Sequence, residues 1–106
     1  MTPTRHQYSI ADMALSISYY TGADTSTNLC YGGQISRASV VLTSTSAACG
    51  VVPSGAVVAR VKAGEDCYVS NNGSAASDTN GEYLEAGEFC DMQVPNGGAQ
   101  FMARTV

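Results

Sequence analysis

Apolar and polar residues alternate in short runs along the chain, and each run is bounded by Gly, Pro or small polar residues. Leu15, Ile17 and Tyr19 form the first run; Ala38, Val40 and Leu42 alternate with Arg37, Ser39 and Val41. Val57, Ala59 and Val61 alternate with Val58, Arg60 and Lys62, and Cys67 and Val69 with Asp66, Tyr68 and Ser70. Cys90, Met92 and Val94 alternate with Phe89, Asp91 and Gln93, and Phe101, Ala103 and Thr105 close the series. A period of two places each apolar set on one face of a strand. Turn residues punctuate the runs at Thr21 to Asn28, Gly32-Gly33, Ser44 to Ala48, Pro53-Ser54-Gly55, Ala63-Gly64, Asn71 to Gly81, Ala86-Gly87 and Pro95 to Gly98. Nowhere does a helical stripe outlast a turn or two.

Six or more short strands separated in this way predict an all-β fold, a small antiparallel β-sandwich or jelly-roll-like barrel. The expected core is Leu15, Ile17, Val40, Leu42, Val57, Val61, Cys67, Val69, Cys90, Val94 and Phe101. Asn71 to Gly81 reads as an exposed loop. Residues 1–12 show no core periodicity, and Pro3 argues against a central strand there, so they are read as an extended arm preceding a single β domain over 13–106. A segment that buries no apolar face of its own gains order by lying on a partner, with Tyr8 and Ile10 as anchors and Arg5 pairing with an acidic residue; a frayed terminus of no consequence is the alternative.

Composition adds a reason to expect partners. The chain has 106 residues, 44% hydrophobic and 13% charged, with no Trp and two Phe. Its apolar residues are mostly Ala and Val, which bury little area each, so self-association is an expected further source of stability. The net charge is −4, and the five basic residues Arg5, Arg37, Arg60, Lys62 and Arg104 are scattered along the chain. That distribution argues against nucleic-acid binding. The sequence contains no long apolar run of the kind that spans a membrane, and the N-terminal residues do not read as an export signal.

The side chains that could carry chemistry are few. Cys30, Cys49, Cys67 and Cys90 lack CxxC spacing and a neighbouring His, so buried reduced thiols are expected ahead of disulfides or a metal site. His6 is the single histidine, and it lies in the arm with no nucleophile motif beside it. Asp78-Thr79-Asn80-Gly81-Glu82 begins like a calcium loop but lacks the distal Glu, and an Asn-Gly turn explains it better. Glu82, Glu85 and Glu88 read as a solvated sheet edge, or as an acidic patch for a basic partner. No enzyme motif is present, and no catalytic residue, cofactor or metal is expected. Among the six tyrosines, Tyr68 falls on the face opposite Cys67 and Val69, where a half-dry, half-wet ring suits an interface.

From Arg37 to Val106, two-thirds of the chain, the order of motifs is RASVVLTSTSAACGVVPSG, VVARVKAGEDCYVSNN, a polar loop, YLEAGEF and DMQVPNGGAQFMART. This resembles small virion structural proteins of tailed bacteriophages, of the capsid decoration or cement type. The matching positions are Asp66, Cys67, Leu84, Ala86, Gly87, Val94, Pro95 and Gly97. The likeness implies a structural virion protein, made in the host cytoplasm, that binds the major capsid protein or another virion subunit and stabilises the assembled shell. A neck or tail-fibre location, and a carbohydrate-binding adhesive β-sandwich, are the alternative expectations; the absence of Trp counts against the last.

Overall fold

The computed structural model describes residues 14–22 and 33–106. These form eight strands: β1 (Ala14–Tyr20), β2 (Gln34–Val41), β3 (Ala47–Ala48), β4 (Val58–Ala63), β5 (Cys67–Ser70), β6 (Glu82–Leu84), β7 (Phe89–Gln93) and β8 (Met102–Thr105). They pair antiparallel into two four-stranded sheets, β2-β1-β4-β7 and β3-β8-β5-β6, here called the first and second sheet. The all-β sandwich expected from alternation is the fold found. Residues 1–12, with Arg5, His6, Tyr8 and Ile10, lie outside the described residues, and so does Cys30.

The pairs β5-β6, β4-β7 and β3-β8 are nested around the β5-β6 connection, and successive pairs lie in alternate sheets. This is the connectivity of a jelly roll. The place between β2 and β4 is taken by β1, the first described strand. Turns close where a left-handed backbone is needed. Gly81 has φ +115°, and a Cβ there would sit on the Val69 carbonyl, so only glycine lets β6 approach β5.

Inward-facing side chains from both sheets meet in one core. Leu15, Ile17, Tyr19, Ala59, Val61 and Met92 come from the first sheet, and Cys67, Val69, Leu84 and Ala103 from the second, with Leu42, Cys49 and Phe101 between them. The rings of Tyr19 and Phe101 lie 6.3 Å apart at 48° and tie the layers together. Most of the expected core is buried here. Val57 is a correction: it is 50% exposed, because β4 begins one residue later and Val57 uses only its backbone, donating to the Tyr20 carbonyl and accepting from Val94. Val40, Cys90 and Val94 are half-buried against the core instead of inside it. Ala47 and Ala48, read from the sequence as turn, form the short strand β3 beside β8.

The Asn71 to Gly81 segment is a surface loop, but it is pinned. Ala76 is buried and its N–H donates to the Ser46 hydroxyl; the Ser70 hydroxyl donates to the Ser74 carbonyl; the Asn80 amide donates to the Ala75 carbonyl. A polar segment holds one shape here because its side chains substitute for the missing ladder.

Candidate functional site

The outer faces of the two sheets were built from the same strand alternation and ended up chemically different. On the first sheet, register lines up Arg37, Ser18, Arg60 and Asp91 in one row and Ser39, Ser16, Lys62 and Phe89 in the next. Arg60 is engaged twice: it makes a fork with Asp91 (Nε to Oδ1 2.8 Å, Nη2 to Oδ2 3.1 Å), and its guanidinium lies 4.4 Å from the Phe89 ring centre. Ser18 and Val58 alternate outward yet are only 8% and 2% exposed, whereas Phe89 is 55% exposed and Arg37, Ser39 and Lys62 are exposed as well.

On the second sheet, Tyr68 stands opposite Tyr83 of β6 on one side and Arg104 of β8 on the other. The tyrosine rings are 5.6 Å apart at 52°, and the Arg104 guanidinium is 5.8 Å from the Tyr68 ring centre. Tyr83 is 46% exposed, and Tyr68 and Arg104 are half-exposed. Arg104 spends its Nε on the Thr105 carbonyl (3.1 Å) and makes no ion pair among the described residues. Its terminal guanidinium nitrogens are therefore open for carboxylates or carbonyls of a partner. Partial desolvation, reinforced by Asp66 and Glu85, raises the Tyr83 phenol above its ordinary value.

Tyr68, singled out from the sequence, is the centre of this ladder. Tyr83 and Arg104 were not singled out, because they join it only through the pairing of β5 with β6 and β8. Of the acids read as a solvated edge or patch, Glu88 serves the backbone, its Oε1 accepting from the Glu85 N–H within one turn, and nearby Asp66 Oδ1 accepts from the Ala86 N–H across to the β6–β7 turn.

Where β6 and β7 diverge, a cleft of about 390 Å³ is lined by Val69, Asn71, Gly81, Glu82, Cys90, Asp91 and Met92. Burial, with Glu82 and Asp91 nearby, raises the Cys90 thiol, which weakens it as a nucleophile at neutral pH. Cys49, Cys67 and Cys90 are free thiols, and burial pushes Cys49 and Cys67 up to about 11. Among the described residues no group of His, Cys, Asp and Glu could hold a metal ion, and no helix is long and apolar enough to cross a membrane. Asn80 and Thr79, part of the calcium-like stretch, direct their side chains to Asn72, Ser74, Ala75 and Ser77.

No protein-family model, curated protein or solved structure matches the chain.

Proposed function

We propose that the protein is a structural subunit that docks on a larger protein assembly through the outer face of the second sheet. The observation that carries this reading is the Arg104–Tyr68–Tyr83 ladder, an open arginine and two tyrosines on a rigid sheet. Tyr and Arg dominate the energetics of protein interfaces, because each covers a large area with little rotamer freedom or offers several fixed donors. In the setting that the resemblance implies, the assembly is the capsid shell of a tailed phage, and the subunit is a decoration or cement protein that clamps neighbouring capsid subunits. Each copy then buries a modest area, and attachment at several points raises the effective affinity.

Self-association belongs to the same proposal. Three of the four sheet edges are short: β3 has two residues, β6 three and β7 five, and the Gln93 carbonyl at the end of β7 accepts from Asn71 Nδ2. The fourth edge, β2, runs for eight residues with one charge, Arg37, and has no strand on its outer side among the described residues. A long, weakly charged edge is a template for pairing, here with a second copy.

The test is the location and copy number of the chain in purified particles. On the order of hundreds of copies on the shell fits decoration; about a dozen or fewer at one vertex selects the neck or tail. The exposed tyrosines are also the feature an adhesive sugar-binding face would use, although rings tilted by 52° offer no single flat platform. Glycan-array binding without any capsid partner selects that reading. Deleting residues 1–12 tests the arm: retention on particles is expected to weaken by at least about tenfold with the fold unchanged.

A further inference from the structure

The sequence contains three Asn-Gly pairs, Asn72-Gly73, Asn80-Gly81 and Asn96-Gly97. In each of them the backbone nitrogen of a glycine, which carries no side chain, follows a side-chain amide, the local arrangement from which asparagine converts spontaneously to isoaspartate and aspartate. In that reaction the glycine nitrogen loses its proton and attacks Asn Cγ, the Cγ–Nδ2 bond breaks and ammonia leaves. The resulting five-membered imide then takes up one water, which opens it at either carbonyl. The step needs no cofactor, but the amide must leave its hydrogen bonds and the backbone must swing to bring nitrogen to carbon.

The three pairs differ sharply in that freedom. Asn72 and Asn80 grip each other: Asn72 Nδ2 donates to Asn80 Oδ1 at 2.7 Å, and Asn80 Nδ2 donates back to Asn72 Oδ1 at 3.3 Å. Asn72 Oδ1 also accepts from the Ser74 N–H (3.0 Å), and Asn80 Nδ2 also donates to the Ala75 carbonyl (2.9 Å). Their backbones are held too. Asn80 and Ser77 exchange backbone hydrogen bonds, Gly81 is pressed against Val69, and a Cβ on Gly73 would lie 3.1 Å from the Ala99 Cβ. Asn96 has none of this. Its side chain is exposed and makes no hydrogen bond among the described residues, although its carbonyl accepts from the Ala99 N–H. Gly97 and Gly98 follow it in the left-handed region (φ +65° and +84°), with nothing within 4 Å of where their Cβ atoms would be.

We infer that Asn96 is a site of spontaneous deamidation in the folded protein, and that the reciprocal amide pair protects Asn72 and Asn80 from the same reaction. Conversion adds a negative charge to the turn between β7 and β8, and its isoaspartyl product lengthens the backbone there by one methylene.

The experiment is incubation of the full chain in mildly alkaline buffer, followed by peptide mapping with isoaspartate detection at each of the three positions. Asn96 is expected to convert at least about tenfold faster than Asn72 or Asn80, the factor corresponding to about 1.4 kcal/mol, within reach of the hydrogen bonds each protected amide must break. In denaturant the three rates should converge. Asn80→Ala should speed Asn72 by removing its partner, and Gly97→Ala should slow Asn96. Equal rates in the folded chain, or the same excess at Asn96 in denaturant, would overturn the inference. So would an Asn72 rate unchanged in a folded Asn80→Ala variant.

Discussion

Each outer face carries an arginine against an aromatic ring, and the two pairs behave differently. On the first sheet Arg60 lies over Phe89 and is forked onto Asp91, so its charge and donors are used within the domain. On the second sheet Arg104 lies beside Tyr68 with one donor spent on a carbonyl and no carboxylate partner among the described residues. The same residue type on the same kind of surface is thus a structural clamp in one place and an available contact in the other. What separates them is the cross-strand neighbour: Asp91 stands opposite Arg60, whereas Tyr68 stands opposite Arg104. An aromatic neighbour orients the guanidinium without neutralising it.

Removing what the two faces share should have the largest effect. Phe101 is fully buried between the sheets, and Phe101→Ala is expected to destabilise by about 3 to 5 kcal/mol, measured by denaturant unfolding. A loss below about 1 kcal/mol would mean that the sheets do not depend on a common core. Cys67, in the same core, should tolerate a hydroxyl poorly: Cys67→Ser is expected to cost about 1 to 3 kcal/mol, because the new polar group enters a dry face without a sure partner.

The buried thiols also predict a pH dependence. Burial raises Cys49 and Cys67 from 9.0 to about 11 in the folded chain, so between those values the unfolded chain gives up protons that the folded chain keeps. Their contribution to stability is fully present below pH 9.0 and is lost as pH rises through about 11. Thermal melts should show an alkaline decline that is smaller in Cys49→Ala/Cys67→Ala; an identical decline in both proteins would assign it to other groups.

A sharper contrast comes from cutting each face separately. Tyr68→Ala should weaken retention on particles by roughly five- to thirtyfold, about 1 to 2 kcal/mol, in co-sedimentation assays, whereas Phe89→Ala should change it by less than about twofold. If Phe89 matters more, the docking face has been placed on the wrong sheet. The smallest expected difference is in stability alone. Asp91→Ala removes the half-buried partner of Arg60 and should cost about 0.5 to 1 kcal/mol, while Arg104→Ala should stay within about 0.5 kcal/mol. Urea midpoints of the two variants decide whether Arg60 is the structural arginine and Arg104 the available one.

By itself, the amino-acid pattern determined that the protein is all-β, where most of its strands run, and which face of β1, β5, β7 and β8 turns inward. These are local consequences of a period of two and of turn chemistry, and each is written in a few consecutive residues. It also placed Tyr68 on an outward face. The shortest strands left no such trace, since the two residues of β3 and three of β6 are too few to show alternation. Only the tertiary structure decided which strand lies beside which, and with that the make-up of every surface row. Tyr68, Tyr83 and Arg104 come from three separate strands and meet through a register set by core packing and by Gly81 letting β6 approach β5. The Asn72–Asn80 amide pair is likewise a product of a folded loop, not of its dipeptides. A residue's face is a local property, whereas its neighbours across a sheet depend on contacts far apart in the chain.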